Sequence, residues 1–182
     1  MLLAACTHDP VVTGADTVAA GNWRIERSAD RITGAPISSA LLPTRTVSHT
    51  SIVVPPAAQM QLTCFKGQPA VVMAFQFTIG STRNSELSYR FDEKPGHLPK
   101  VRFVDDYKKV IIEDPAEVSL FVSELAASKS LYVLIRSLNG GRTSAEFQLD
   151  GAPAAIESGL AGCPVNQPAK RASLSPPLAV AG

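Results

Sequence analysis

Alternation with a period of two runs through most of the chain between Asn22 and Cys163, and it narrows the fold more than any other feature. Met60, Leu62 and Cys64 alternate with Gln61 and Thr63. Leu87, Tyr89 and Phe91 alternate with Ser88, Arg90 and Asp92, and Ala145, Phe147 and Leu149 with Ser144, Glu146 and Gln148. Successive side chains on a strand point to opposite faces, so each run fits a strand with one face on a core. Residues 70–77 and 131–135 are more continuously apolar and suit central strands covered on both faces. Residues 101–104 and 110–112 read as shorter strands, Trp23 and Ile25 as an opening strand, and 52–54 as another. Lys66-Gly67, Lys94-Pro95-Gly96, Asp105-Asp106 and Asn139-Gly140-Gly141 separate these runs with turn chemistry.

Two segments depart from the strand pattern. Asp114-Pro115-Ala116-Glu117 places Asp at an N-cap, Pro at the first helical position and Glu two positions further on. Val118, Phe121, Val122 and Leu125 then fall on one helical face, which predicts a short helix ending near Ser128. In 152–163, Ala152, Ala155, Ile156, Gly159, Leu160 and Cys163 share a face in the same way, and carry Cys163 toward the core. The fold expected is mainly β, an antiparallel β-sandwich or open barrel with two short helices.

Composition allows this and excludes several functions. With 45% apolar and 18% charged residues in 182, one domain with a substantial core is expected. Seventeen basic against sixteen acidic residues leave a formal net charge of +1, which supplies neither a nucleic-acid footprint nor a polybasic membrane patch. No run approaches the ~18 apolar residues of a spanning helix.

The ends read as lying outside the fold. Leu3-Ala4-Ala5-Cys6 has the form of a bacterial lipobox, with small residues before the Cys that would be lipidated. A signal peptide also needs a basic segment and an apolar stretch of ~7–15 residues; five residues precede Cys6 and none is basic, so the rest of the signal is expected upstream of Met1. Residues 1–6 are then the remnant of a lipoprotein signal, and 7–21, rich in Thr, Ala, Gly and Val without periodicity, a linker. Residues 22–163 form the β domain. Residues 164–182, with Pro164, Pro168, Pro176 and Pro177, read as a disordered tail. Thr7 rather than Asp after Cys6 resembles an outer-membrane sorting signal.

If Cys6 is lipidated, two cysteines remain. Both Cys64 and Cys163 are placed on inward faces, and an oxidising compartment favours their pairing, the alternative being two free buried thiols. Two distant cysteines without a neighbouring His lack zinc spacing, so no metal is expected. The order of elements carries a resemblance. Leu62-Thr63-Cys64, a turn and an apolar strand precede Tyr89-Arg90-Phe91-Asp92, the Ser119-Leu120-Phe121 helix and Leu134-Ile135-Arg136; Phe147-Gln148-Leu149-Asp150-Gly151, a helix and Cys163 follow. This resembles the VasI-like accessory proteins of type VI secretion and the invasion-associated locus B proteins, from Trp23 to Cys163. It departs from them at Val110-Ile111-Ile112, where relatives often carry an aromatic residue. The resemblance implies a periplasmic or envelope-anchored accessory domain without established catalysis, and a Cys pair like Cys64 and Cys163.

Motifs with a defined chemistry are absent: the sequence has no G-x-S-x-G, H-E-x-x-H, P-loop or G-x-G-x-x-G. Ser48 and His49 are neighbours on a strand and should face opposite ways, which spoils them as nucleophile and base. His8 falls in the linker, and His97 reads as a solvated loop residue. Asp105 and Asp106 could hold a cation, but read as a turn balanced by Lys108 and Lys109. Arg90 and Arg136 interrupt apolar strands. Each could hold register by pairing with Asp92 or Glu146, or offer a fork to an anionic ligand. Arg142 reads as exposed at a hairpin tip.

The expectation is a non-enzymatic envelope lipoprotein, on the periplasmic side and anchored to the outer membrane through Cys6, that binds a protein partner without a cofactor. Two rivals stand beside it: an inhibitor of an exported hydrolase such as lysozyme, and an enzyme with an unfamiliar site built from Arg90, Arg136, Asp105 and Asp106.

Overall fold

The structure is a computed structural model that describes residues 12–50, 57–81 and 84–165. Cys6, His8, the 52–54 strand and the tail from residue 166 lie outside the described residues. Among those described are eleven strands and two helices. One antiparallel sheet has seven strands: β1 (Val12–Ala20), β2 (Trp23–Asp30), β3 (Pro36–Pro43), β5 (Ala58–Phe65), β6 (Gln68–Phe75), β9 (Lys109–Ile112) and β8 (Arg102–Val104), in that spatial order. The second sheet has four, in the order β4 (Thr46–His49), β11 (Gly141–Gln148), β10 (Ser130–Ser137) and β7 (Ser85–Phe91).

The expected mainly-β architecture of two antiparallel sheets with two helices is what the chain adopts, and it is consistent with a β-sandwich. The alternating residues turn the expected way. Met60 and Leu62 on β5, Leu87, Tyr89 and Phe91 on β7, and Ala145 and Phe147 on β11 are all buried. With Trp23, Ile25, Leu42, Val71, Met73, Val133 and Ile135 they form one cluster. Helix α1 (Pro115–Leu125) adds Val118, Phe121, Val122 and Leu125. Its N-cap is Asp114, whose carboxylate accepts from the backbone N–H of Ala116 and Glu117 at 2.9 and 3.2 Å. Helix α2 (Ala152–Gly159) lies against β1, β2, β3 and β5. At its end a Cβ on Gly159 would stand 2.9 Å from the Ala40 side chain, so only a glycine lets the helix come this close. Cys64 and Cys163 are joined in a disulfide with Cα atoms 5.7 Å apart, tying the segment after α2 to β5.

Several expectations need correction. Residues 12–20 of the expected linker form β1, antiparallel to β2 from Val12–Asp30 to Ala20–Trp23, with a register shift between Thr13 and Asp16. Residues 16–19 are exposed, so this edge strand is held by its backbone ladder and has no need of an alternating face. Strands β3 and β4 are additions. β6 is central but only half covered: Val71, Met73 and Phe75 are buried and Ala70, Val72 and Ala74 are not. The second helix stops at Gly159, and the chain reaches Cys163 through a turn with Gly162 at φ 84°. The first stops at Leu125.

Candidate functional site

The outward face of the four-stranded sheet holds both arginines singled out by the sequence. Register puts its residues into three rows across the strands. Arg90, Tyr132, Glu146 and Thr46 form one row, and Ser88, Leu134, Ser144 and Ser48 the middle one. Glu86, Arg136 and Arg142 form the third. The middle row is low, made of three serines and one leucine. Leu134 is only 8% exposed although it points away from the core cluster. A hollow of about 240 Å³ opens here, lined by Ser88, Tyr89, Arg90, Gly96, Tyr132 and Leu134. Such a face has the chemistry of a docking surface: charged rims of both signs, an aromatic residue and a shallow floor.

The ion pairs on it differ from those expected. Arg90 reaches Glu93, not Asp92, at 3.7 Å, and Arg136 reaches Glu86, not Glu146, at 3.7 Å. Arg90 points outward from a strand interior, whereas Asp92 lies just past the strand end at φ 47°, where its carboxylate turns to the backbone. Asp92 accepts from the backbone N–H of Lys129 (3.1 Å) and Ser130 (2.9 Å) and from the Ser130 hydroxyl (3.1 Å). Desolvation acts to raise its pKa but is outweighed by these hydrogen bonds, which hold the carboxyl below its ordinary value. Glu146 accepts from the Thr46 hydroxyl at 3.3 Å. Among the described residues neither Glu146 nor Arg142 has an ion-pair partner. Arg142 is exposed as expected, though as a strand residue opposite Arg136.

The remaining candidates make other contacts. Asp105 pairs with Lys109 at 3.0 Å in the β8–β9 turn of the other sheet, and among the described residues no hydrogen bond or ion pair joins Asp105 or Asp106 to Arg90 or Arg136. Ser48 is exposed while His49 turns inward, where its Nδ1 lies 2.8 Å from the Thr143 hydroxyl and its ring 5.0 Å from that of Phe77. His97 is not a solvated loop residue. Its ring stacks on Tyr89 at 5.0 Å, its Nε2 lies 3.1 Å from a Glu124 carboxylate oxygen, and its backbone exchanges two hydrogen bonds with Tyr89. The loop 95–99 is thereby fixed between β7 and α1. The Tyr89 hydroxyl is buried without a hydrogen-bond partner among the described residues. Desolvation, with Glu124 and Glu117 nearby, raises this phenol well above its ordinary value. Sequence reasoning missed this cluster, because it depends on β7 meeting α1 across the core. Among the described residues no three His, Cys, Asp or Glu side chains gather as metal ligands, and no helix is long and apolar enough to cross a membrane. No family model, curated protein or solved structure matches the chain.

Proposed function

We propose that this chain is a non-enzymatic lipoprotein of a bacterial cell envelope whose β domain binds a protein partner. Cys6 anchors it to the outer membrane on the periplasmic side, and the outward face of the four-stranded sheet is the surface it presents. An accessory role in secretion accords with the order of its elements. The observation that carries the reading is the Cys64–Cys163 bridge, since structural disulfides persist in exported proteins and are rare in the cytosol. The lipobox at Cys6 supports the same compartment, and the face supplies polar and charged groups for docking rather than a gathered set for chemistry.

The test is the intact mass of the native protein after alkylation without reduction. A chain beginning at an acylated Cys6, with no label on Cys64 or Cys163, is expected. An unacylated chain with three labelled thiols would remove the proposal.

A further inference from the structure

The outward face of the four-stranded sheet is complementary to itself. A twofold axis laid along its middle row, through Ser88, Leu134, Ser144 and Ser48, exchanges the two outer rows and keeps each strand over its own copy. Arg90 then faces Glu86 of the second copy, and Glu146 faces Arg142 of the second copy. Tyr132 faces Arg136 of the second copy, a cation over an aromatic ring. Leu134 faces its own copy across the two low middle rows. Symmetry repeats each pairing. The other in-plane axis, along the strands, sets Arg136 against Arg142 and leaves Arg90 over Thr46, so charge selects the first arrangement. Arg142 and Glu146 decide the matter most sharply. They stand four residues apart on one strand, about 13 Å, each without an ion-pair partner among the described residues, and each supplies what the other lacks only across the axis.

We propose that this face is the interface of a symmetric homodimer, packed sheet to sheet with the strands of the two copies antiparallel. The proposal rests on the reading of the face as the protein-binding surface and names its partner as a second copy of this chain. Four strands at ~4.8 Å and three rows about 6.7 Å apart give a patch of about 400 Å². A stable interface buries about 800 Å² on each side, so the dimer is weak in free solution. Anchoring through Cys6 would confine copies to one membrane plane and raise their effective concentration, which suits a weak contact.

The full chain carrying Cys6→Ser, to remove the anchor, is followed by sedimentation velocity over rising concentration, at low salt and at about 0.5 M salt. A dimer that grows with concentration and weakens with salt is expected. Arg142→Glu, or Glu146→Arg, sets like charges together twice per dimer and should raise the dissociation constant about tenfold. The double variant R142E/E146R exchanges the two charges and should restore it. Both residues are exposed, so an unchanged circular dichroism spectrum is expected for every variant. A chain that stays monomeric throughout, single reversals without effect, or a double variant that does not recover would each overturn the dimer.

A photo-cross-linker at Ser144 of the anchored protein in its host separates two kinds of failure. A cross-link to a second copy supports the proposal. A cross-link to another protein overturns the dimer and keeps the face as a binding surface. No cross-link to protein removes both.

Discussion

Asp92 shows how much one side chain can fix when the backbone turns. Its carboxylate satisfies N–H groups of Lys129 and Ser130 at the entry to β10, while its own φ of 47° lies in the region that Asn and Asp tolerate better than most residues. Asp92→Ala removes the acceptor and places Ala in that region, and is expected to cost about 1–2 kcal/mol. Asp92→Asn keeps the conformation and one acceptor and should cost less. Urea unfolding at pH 7 checks the order. The acid limb follows from the sign of the shift. The folded pKa lies below the unfolded value of about 3.9, so the contribution is fully present above that pH and is lost as pH falls through the folded pKa. The gap between wild type and Asp92→Ala should therefore narrow between about pH 5 and about pH 2; a constant gap would remove the carboxylate account. Gly151 supplies the steric counterpart. It sits at φ 91°, and a Cβ there would stand 1.9 Å from the Ala20 carbonyl oxygen, where the turn after β1 meets the turn after β11. Gly151→Ala is expected to cost about 3 kcal/mol or more, read from the shift in thermal midpoint.

At the scale of elements, what the sequence displays depends on burial. β5, β7 and β11 each bury one face, so their alternation marks them, and α1 announces itself through Asp114-Pro115 and a single apolar stripe. β3 carries buried residues at four successive positions from Ser39 to Leu42, which destroys the period of two. β4 has four residues, too few to show a period, and β1 leaves residues 16–19 in solvent. Of the candidate face, Ser88, Arg90, Ser144 and Glu146 were legible as outward positions, whereas residues 131–135 read as covered on both faces and so hid Tyr132. Which of them stand opposite one another depends on register between strands far apart in sequence, such as Glu146 with Thr46, and no local pattern specifies that. The same distance explains why the sequence points Arg136 to the wrong partner: Glu146 lies two rows away from it, opposite Tyr132. The disulfide is an element-scale device. It closes 99 residues and ties the turn after α2 to β5, which in the chain-entropy model is worth about 4–5 kcal/mol. A Cys64→Ser/Cys163→Ser variant should lose roughly that amount, judged by the urea midpoint. Its α2 amides should be the first to lose protection in hydrogen exchange; if α2 keeps its protection, the helix is held by packing at Gly159 and Ala40 instead.

Over the whole molecule, stability should grade from edge to centre rather than follow chain order. β5, β6 and β10 each have a strand on both sides and side chains in the shared core. β1 has one neighbour, β2, and its exposed residues bury little. Ordering nine residues costs ~1 kcal/mol or more each, and a ladder bond returns ~1 kcal/mol, so β1 sits close to balance by itself. The disulfide does not reach it, since the bridged loop begins at Cys64. Its anchor is the turn behind it, where the Asn22 backbone N–H donates to the Asp150 carbonyl at 2.9 Å and the Asn22 side chain donates to the Gln148 carbonyl at 3.3 Å. Native-state hydrogen exchange should therefore find β1 opening separately, with its amides several orders of magnitude less protected than those of β5 and β10. Asn22→Ala should widen that difference by releasing the turn while leaving β5 and β10 unchanged. Equal protection of β1 and β5 in the wild-type chain would mean that the edge strand opens only with the whole sandwich, and the domain would then begin at β1 in energy as well as in structure.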